Sequence, residues 1–544
     1  MLQPDSNPRT SPPLPELAAL CVLIIALGLI FHIASGSSRS ELGSHPDEAA
    51  HFVTGLMVRD YLASGFHESP LRYADEYYRH YPKIGLGNWP PVFYIVEALW
   101  TLVFPGGPGS VLRLMAVLGM VLAIKTAWWL WRDLGWVEAV LGAVLLTALP
   151  LVQEYSNMVM AELLSALLMF GAAGCFAFYL ENAEWRWAAA FGLFAGLAIM
   201  TKGTGLALAL LPPLAIVFTG RYELLKRPAL WGAALLAAGI AGPWTWHFRN
   251  IGRGGWEEAS PSLHFTQMAI FYYGRQICVA LGWLLAALAA AGAVSLFLPG
   301  TRKPAIAVCS LALVLGVWIF QSLTPVGLEA RHLAPAMPAL IVLAMAGFHA
   351  ASAGCARFRA AIAASLLAVF FAWQSIFHPP TPAPGYGSLG NYAALSPFRI
   401  PQKQWSGFES IADEVLAAGP GKTVLVASDA RGEGMLIAEV AARDPHRPSF
   451  TIERASKLLA SSTWSGSGYQ SYYQTPDQVR DALAKAGIAL VVTDSSPDRL
   501  PAHEKLLVEA MAAGAPLALC PAVRDGKASP GAIALYSAPK TASK

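Results

Sequence analysis

Apolar runs long enough to matter for a membrane recur through the first two thirds of the chain. They lie at 14–35, 111–131, 137–153, 160–180, 187–201, 203–220, 229–248, 276–298, 304–323, 333–350 and 360–377. A helix needs roughly 20 apolar residues to cross the hydrocarbon core, so these runs predict about 11 transmembrane helices. The first is too long for the core of a cleaved leader and reads as an uncleaved signal anchor. Residues 36–110 break the pattern and form one large loop. Within it, the apolar stretch 91–104 is short and carries Glu97, which predicts an interfacial or re-entrant helix rather than a span.

A Pro- and Gly-rich linker at 379–401 separates this domain, 1–378, from a different pattern at 402–544. An amphipathic stretch at 405–418 is followed by strand-like runs at 423–428, 449–453 and 488–493, alternating with helical ones at 433–443, 476–486 and 502–513, and then by an apolar LALC at 517–520. Such alternation predicts a small soluble α/β domain with a mainly parallel sheet. The expected fold class is thus an α-helical polytopic membrane protein with a C-terminal soluble α/β domain.

Composition agrees. Of the 544 residues 55% are hydrophobic and only 13% charged, about half the charge of a soluble domain. The six cysteines are scattered and form no CxxC, so they read as small hydrophobes rather than disulfides or metal ligands. No Lys/Arg cluster points to nucleic acid. Basic residues do fix an expected orientation, because Lys and Arg are held in cytoplasmic loops. With Arg9 inside, alternate loops carry Arg132, Arg186, Arg221/Lys226/Arg227, Arg302/Lys303 and Arg357/Arg359, which places the C-terminal domain outside.

That topology gathers the remaining ionisable residues at the outer boundary, where such groups are costly and are functional candidates by default. The sharpest cluster is Ser44-His45-Pro46-Asp47-Glu48-Ala49-Ala50-His51. Ser44 suits a helix cap and Pro46 a first turn, setting Asp47 and Glu48 at the positive end of the helix dipole. Ala49, Phe52, Val53, Leu56 and Met57 form a helical stripe, predicting a helix on the bilayer surface whose other face, with Asp47 and His51, lines a cavity. An ionised Asp there can accept the proton of an attacking hydroxyl; a plain dipole-complementing acid is the simpler alternative. The histidine spacing matches no zinc helix, so no metal is expected.

Lys83, Lys202 and Arg331 are cations at the same boundary, suited to a phosphate gaining negative charge, with His332 beside Arg331. Glu162 opens the fourth run and supplies a further acid. The aromatics Tyr77, Tyr78, Tyr81, Trp89, Trp244 and Trp246 read as an interfacial belt. In the C-terminal domain, Gly432-Glu433-Gly434 after the first strand weakly suggests a phosphate-binding turn.

Together, HPDEAAHFVTG, GNWPPVFYIVEALWTLVF with RLMAVLGM, NMVMAELLSALL, GLFAGLAIMTKGTGLAL, GPWTWHFRNIG and EARHLAPAMPALIVLAMAG, in this order from about 45 to 347, resemble the polytopic GT-C glycosyltransferases. The resemblance is to the protein-O-mannosyltransferase and aminoarabinose-transferase type and their bacterial lipopolysaccharide-core relatives. It implies transfer of a sugar from a polyprenyl-phosphate-linked donor to a hydroxyl of a glycolipid, glycan or protein acceptor on the extracytoplasmic face of the bacterial inner membrane. Members of this type generally need no metal, and the expected mechanism is an inverting single displacement with no cofactor. Residue by residue, the family's catalytic carboxylate falls on Asp47, with Glu48 beside it, and its second acid falls on Glu162. A secondary transporter or lipid flippase is the rival reading, which the apolar centres of the runs disfavour.

Overall fold

The computed structural model describes residues 13–37, 40–85, 87–254, 262–299, 303–377, 406–462, 468–496, 500–524 and 527–538. The linker 379–401 lies outside the described residues. The first run is helix α1 (Leu14–Ala34), and the long loop after it folds into α2 (Pro46–Ala63), α3 (Pro70–His80) and α4 (Val92–Val103). Then come α5 (Pro108–Asp133), α6 (Trp136–Ala148), α7 (Pro150–Ser156), α8 (Glu162–Asn182), α9 (Trp185–Ile199), α10 (Leu211–Thr219), α11 (Pro228–His247) and α12 (Arg249–Gly254). The helical body closes with α13 (Leu263–Leu281), α14 (Trp283–Ser295), α15 (Ala305–Leu323), α16 (Met337–Ala351) and α17 (Arg359–Phe377).

By length and composition, 5 described helices can cross a membrane, or up to 7 if each of two bent pairs is one span. Val92–Val103, Trp185–Ile199, Gly203–Thr219 and Arg359–Phe370 are shorter apolar helices, so length and composition among the described residues do not by themselves give the expected eleven full spans. The bent pairs have local causes. Pro150, which has no N–H to continue the ladder, opens α7 after a 62° turn from α6. Gly282, at φ +76°, separates α13 from α14 at 112°, a backbone conformation that favours glycine. The run expected at 276–298 therefore straddles two helices, and α13 begins well before it.

The long helices carry different clusters at their two ends. Helix α8 starts at Glu162 and ends beside Glu181, which pairs with Arg132 at 2.5 Å. A 21-residue helix is about 30 Å long, so the Arg132 cluster and the Glu162 cluster sit on opposite sides of the helical body. The backbone carbonyl of Leu180 accepts from Arg221 and that of Ala183 from Arg227, so these basic loops collect at the Arg132 end.

The C-terminal region contains α18 (Phe408–Ala417), β1 (Thr423–Ala427), α19 (Ala430–Arg443), β2 (Thr451–Arg454), β3 (Ala460–Ser461), β4 (Gln470–Ser471), α20 (Pro476–Lys485), β5 (Leu490–Asp494), α21 (Ala502–Met511), β6 (Ala518–Arg524) and β7 (Lys527–Ser537). Its main sheet has the order β2-β1-β5-β7-β6. Strand β1 pairs parallel with β2 and β5, but β7 pairs antiparallel with both β5 and β6. The sheet is thus mixed rather than mainly parallel, because the hairpin β6–β7 closes one side.

Helix α2 does not lie on a bilayer surface. Every residue from Glu48 to Met57 is buried, packed between α4 on one side and α19 of the C-terminal region on the other. Its buried polar side chains Glu48, His51 and Thr54 are hydrogen-bonded within the protein, which lets both faces of the helix be enclosed.

Candidate active site

Helix α2 begins as the sequence implies, with one change of cap. His45, not Ser44, is the N-cap, its Nδ1 accepting from the backbone N–H of Asp47 at 3.1 Å. Burial lowers His45 to about 4, so its ring stays neutral and able to accept. Pro46 occupies the first turn, where its missing N–H costs nothing. The two acids that follow have separate environments. Glu48 is fully buried, accepting from Ser44 N at 3.0 Å and from Val159 N, just before α8, at 3.0 Å. It ties the loop to the helical body. Asp47 stays partly exposed, its Oδ2 3.3 Å from Arg331 Nη1.

Arg331 is the hub. It sits in the 3-10 turn Ala330–Ala336 that leads into α16, pairs with Glu329, and holds its Nε 4.0 Å from Glu162 Oε1. The same Glu162 oxygen receives Lys202 Nζ at 2.5 Å. Glu162 opens α8, and Lys202 caps the 3-10 turn Gly203–Leu210 that follows α9. Four chain segments far apart in sequence therefore deliver Asp47, Glu162, Lys202 and Arg331 to one place by their ends. Burial works to raise the carboxyl of Asp47, but His45, Arg331 and His51 outweigh it and hold it below the usual range. With both histidines neutral at pH 7, Arg331 is the cation that keeps Asp47 ionised.

Glu329 belongs to this cluster and is missing from the candidates that the sequence pattern singles out, although it stands two residues before Arg331 in EARHLAP. Lys83 stands on the other side of α2. Its Nζ donates to the carbonyls of Pro46 at 3.2 Å and Ala430 at 3.3 Å, and burial lowers its pKa to about 8.

The two histidines do not line open space. His51 is buried, its Nδ1 2.9 Å from the Tyr94 hydroxyl and its ring 4.4 Å from that of Trp89; burial brings it to about 4. His332 is buried, with Nδ1 2.9 Å from the Tyr273 hydroxyl. Both position aromatic neighbours around the cluster. Tyr77 and Tyr81 are not belt residues either: they are buried, and donate to Asp60 at 3.1 Å and Asp444 at 2.5 Å. The Gly432-Glu433-Gly434 turn is no phosphate cradle. A Cβ on Gly432 would meet Ser428 and Phe408, and one on Gly434 would meet Ala49, so neighbouring side chains fill that space. Among the described residues, no three His, Cys, Asp or Glu side chains are grouped to hold a metal ion.

Known proteins share this arrangement of helices and sheet. Residues 88–247 match the dolichyl-phosphate-mannose-protein mannosyltransferase family. The whole chain superposes on ArnT from Cupriavidus metallidurans bound to undecaprenyl phosphate, with a TM-score of 0.59 at 16% identity, covering 94% of this chain and 97% of that one. The chain has the GT-C fold. Apo ArnT superposes similarly, with a TM-score of 0.55 at 16% identity over 95% and 98% of the two chains. The archaeal oligosaccharyltransferase AglB from Archaeoglobus fulgidus, in complex with an inhibitory peptide and a dolichol-phosphate, follows with a TM-score of 0.50 at 11% identity over 88% and 69%. No curated protein matches by sequence. Because the superposition on ArnT runs nearly end to end, the C-terminal sheet region is part of this GT-C architecture.

Proposed function

We propose that the chain is a membrane glycosyltransferase that moves a sugar from a polyprenyl-phosphate-linked donor to an acceptor hydroxyl on the extracytoplasmic face. The observation that carries this reading is the ion pair between Asp47 and Arg331, with Arg331 in turn shared with Glu162 and Glu329. It sets an ionised base directly beside cations that an anionic phosphate would engage. The match to a mannosyltransferase family and the likeness to ArnT bound to undecaprenyl phosphate support the donor class.

In the proposed inverting displacement, the acceptor oxygen forms a bond to the anomeric carbon while the bond from that carbon to the phosphate oxygen breaks. The acceptor proton passes to an Asp47 carboxylate oxygen, and the bonding pair leaves with the polyprenyl phosphate. Arg331 and Lys202 hold the phosphate as it gains charge, with Lys83 a third cation on the other side of α2. A carboxylate paired with Arg331 is ionised but a weak base. Donor phosphate drawing Arg331 away would strengthen Asp47 at the moment it is needed.

Glu162 orients Lys202 and Arg331, and Glu48 fixes the start of α2 without entering the chemistry. The membrane domain, residues 1–378, would hold the isoprenoid tail between its helices, and the domain 402–544 would stand outside with the reaction centre. In the test, purified protein is given a panel of polyprenyl-phosphate sugars and Asp47→Asn is compared with the parent chain. Transfer should fall by about 10²–10⁴-fold while membrane insertion is retained; full activity of Asp47→Asn would refute the assignment.

A further inference from the structure

We infer that the C-terminal α/β region is part of the catalytic unit, and that Gly434 on α19 is a positioning residue that sets where Asp47 stands. The inference rests on the role proposed for Asp47 and extends it to a region for which that role gives no task.

The contact is direct. A Cβ built on Gly434 would lie 3.0 Å from the Cβ of Ala49 and 3.2 Å from Cε of Lys83. Ala49 is two residues beyond Asp47, in the first turns of the same helix. Glycine at 434 therefore lets α19 approach α2 more closely than any other residue allows. Lys83 closes the same junction, because its single ammonium donates both to Pro46, the residue before Asp47, and to Ala430, the first residue of α19. The start of α2 is tied to the start of α19 by packing and by hydrogen bonds.

Helix α19 is itself held firmly. Asp429 caps it, accepting from Arg431 N at 3.1 Å and Gly432 N at 2.8 Å. Its buried Glu433 accepts from Arg454 Nε at 2.8 Å and Ser456 N at 2.9 Å. At the other end of α2, Asp60 accepts from Arg447 Nε at 2.9 Å, just past the end of α19. The C-terminal region thus grips α2 near both ends, through α19 at one and through Arg447, just past that helix, at the other. A base must stand within a fraction of an ångström of its proton's donor, and a misplacement of 1 Å can cost about 10²-fold in rate. A side chain at 434 has no room except by shifting α2 or displacing Lys83.

Two measurements test this. Gly434→Val in the full-length purified protein should lower kcat by about 10²-fold with a smaller change in donor KM, since Lys202 and Arg331 lie on the helical body and only Lys83 stands at the junction. Gly434→Ala should lose less, and Ala49→Gly added to it should restore part of the rate, because the Cβ–Cβ contact is removed while the 3.2 Å contact with Lys83 Cε remains. Thermal unfolding of the same variants separates this from a loss of folding, which would lower the transition in step with the rate. The second measurement needs no turnover: the rate at which a soluble thiol reagent labels Asp47→Cys should change when Gly434→Val is added. Unchanged kcat in folded Gly434→Val, failure of Ala49→Gly to rescue, or an unchanged labelling rate would each overturn the inference. Absence of transfer in the parent chain would instead sink the proposed activity and leave the labelling rate to decide the positioning role.

Discussion

Arg331 Nη1 and Asp47 Oδ2 lie 3.3 Å apart across 284 positions of sequence, joining the first helix of the long loop to the turn that opens α16. The pair means that the base and the phosphate-binding cation of the proposed reaction are not independent groups. Arg331 keeps Asp47 ionised and weakly basic until a third charge draws the guanidinium away.

Arg331→Ala should therefore do more than weaken donor binding. Removing the guanidinium leaves Asp47 and Glu329 facing each other without their shared cation, with Lys202 alone to compensate Glu162. Such uncompensated charge is destabilising, by less than the ~3–5 kcal/mol of a fully buried pair, because Asp47 and Glu329 are 29% and 23% exposed. Transfer should fall by at least about 10²-fold, as for loss of an electrostatic stabiliser, and the thermal transition should drop. Arg331→Lys keeps the charge but lacks the planar fork that reaches Glu329 and Asp47 together. It should recover the thermal transition more than the rate. Equal recovery of both, read by initial rates and thermal unfolding in detergent, would argue that charge alone is needed.

Lys83 gives the rate an alkaline limb. Its pKa is lowered from 10.5 to about 8 by burial, so the neutral amine is favoured by folding, and the ammonium is lost as pH rises through about 8. If the ammonium is needed to tie Pro46 to Ala430 and face the donor, kcat should decline above that pH. Lys83→Arg, charged throughout, should carry its plateau to higher pH. The acid side has a different origin. Asp47 is held below 3.8, so it stays ionised through the mildly acidic range. His45 and His51, both lowered to about 4, bind fewer protons folded than unfolded between about 4 and 6.5. Their contribution to stability is complete above 6.5 and declines as pH falls towards 4. A pH–rate profile beside a pH–stability profile separates the two.

Much of this arrangement is legible in the chain, for identifiable reasons. Helices α1, α5, α8 and α15 announce themselves as long apolar runs, Glu162, Lys202 and Arg331 as ionisable residues near the ends of such runs, and Asp47 as the acid of a first helical turn in the long loop. Their pairing is not legible, since it joins four segments whose register is set only by tertiary packing. Adjacency alone makes Glu48 look like a partner of Asp47, yet successive helix positions point about 100° apart, and Glu48 turns to Val159. The break at Gly282 hides inside an unbroken apolar run. Strand β7, KASPGAIALYS, begins in residues that favour turns, so the mixed character of the sheet is hidden as well.

The separate fates of the two adjacent acids can be measured. Glu48→Ala removes the acceptor for the half-buried Ser44 N and the buried Val159 N, and the loss at Val159 costs about 1–3 kcal/mol. It should lower the thermal transition markedly. Glu48→Gln keeps one acceptor oxygen and should fall between the parent and Glu48→Ala. In both variants, the rate per folded molecule should stay within about tenfold of the parent chain, because Glu48 carries no proton in the reaction. Loss of Asp47 as general base, by contrast, should cost about 10²–10⁴-fold. If Glu48→Gln were as inactive as Asp47→Asn while folding normally, the division of labour between them would be wrong.

Glu162 and Lys202 offer the converse case, a buried pair whose members should be more harmful to lose singly than together. Their 2.5 Å contact is enclosed by protein, with Glu162 only 1% exposed and Lys202 17%, and breaking such a pair strands one charge. Lys202→Met leaves Glu162 to compete with Asp47 and Glu329 for Arg331, which should pull the guanidinium away from the base and from the donor phosphate. Glu162→Gln frees Lys202 and Arg331 to bind phosphate more tightly, so polyprenyl phosphate, the leaving product, should become a stronger inhibitor while kcat falls through slower release. The double variant should be nearer the parent in thermal stability than Lys202→Met alone, yet remain slow, since only one phosphate-facing cation is left on that side of α2. Thermal unfolding and product-inhibition constants across the four chains of this cycle give the coupling directly. A cycle in which the two losses simply add would mean that the pair does not act as a unit.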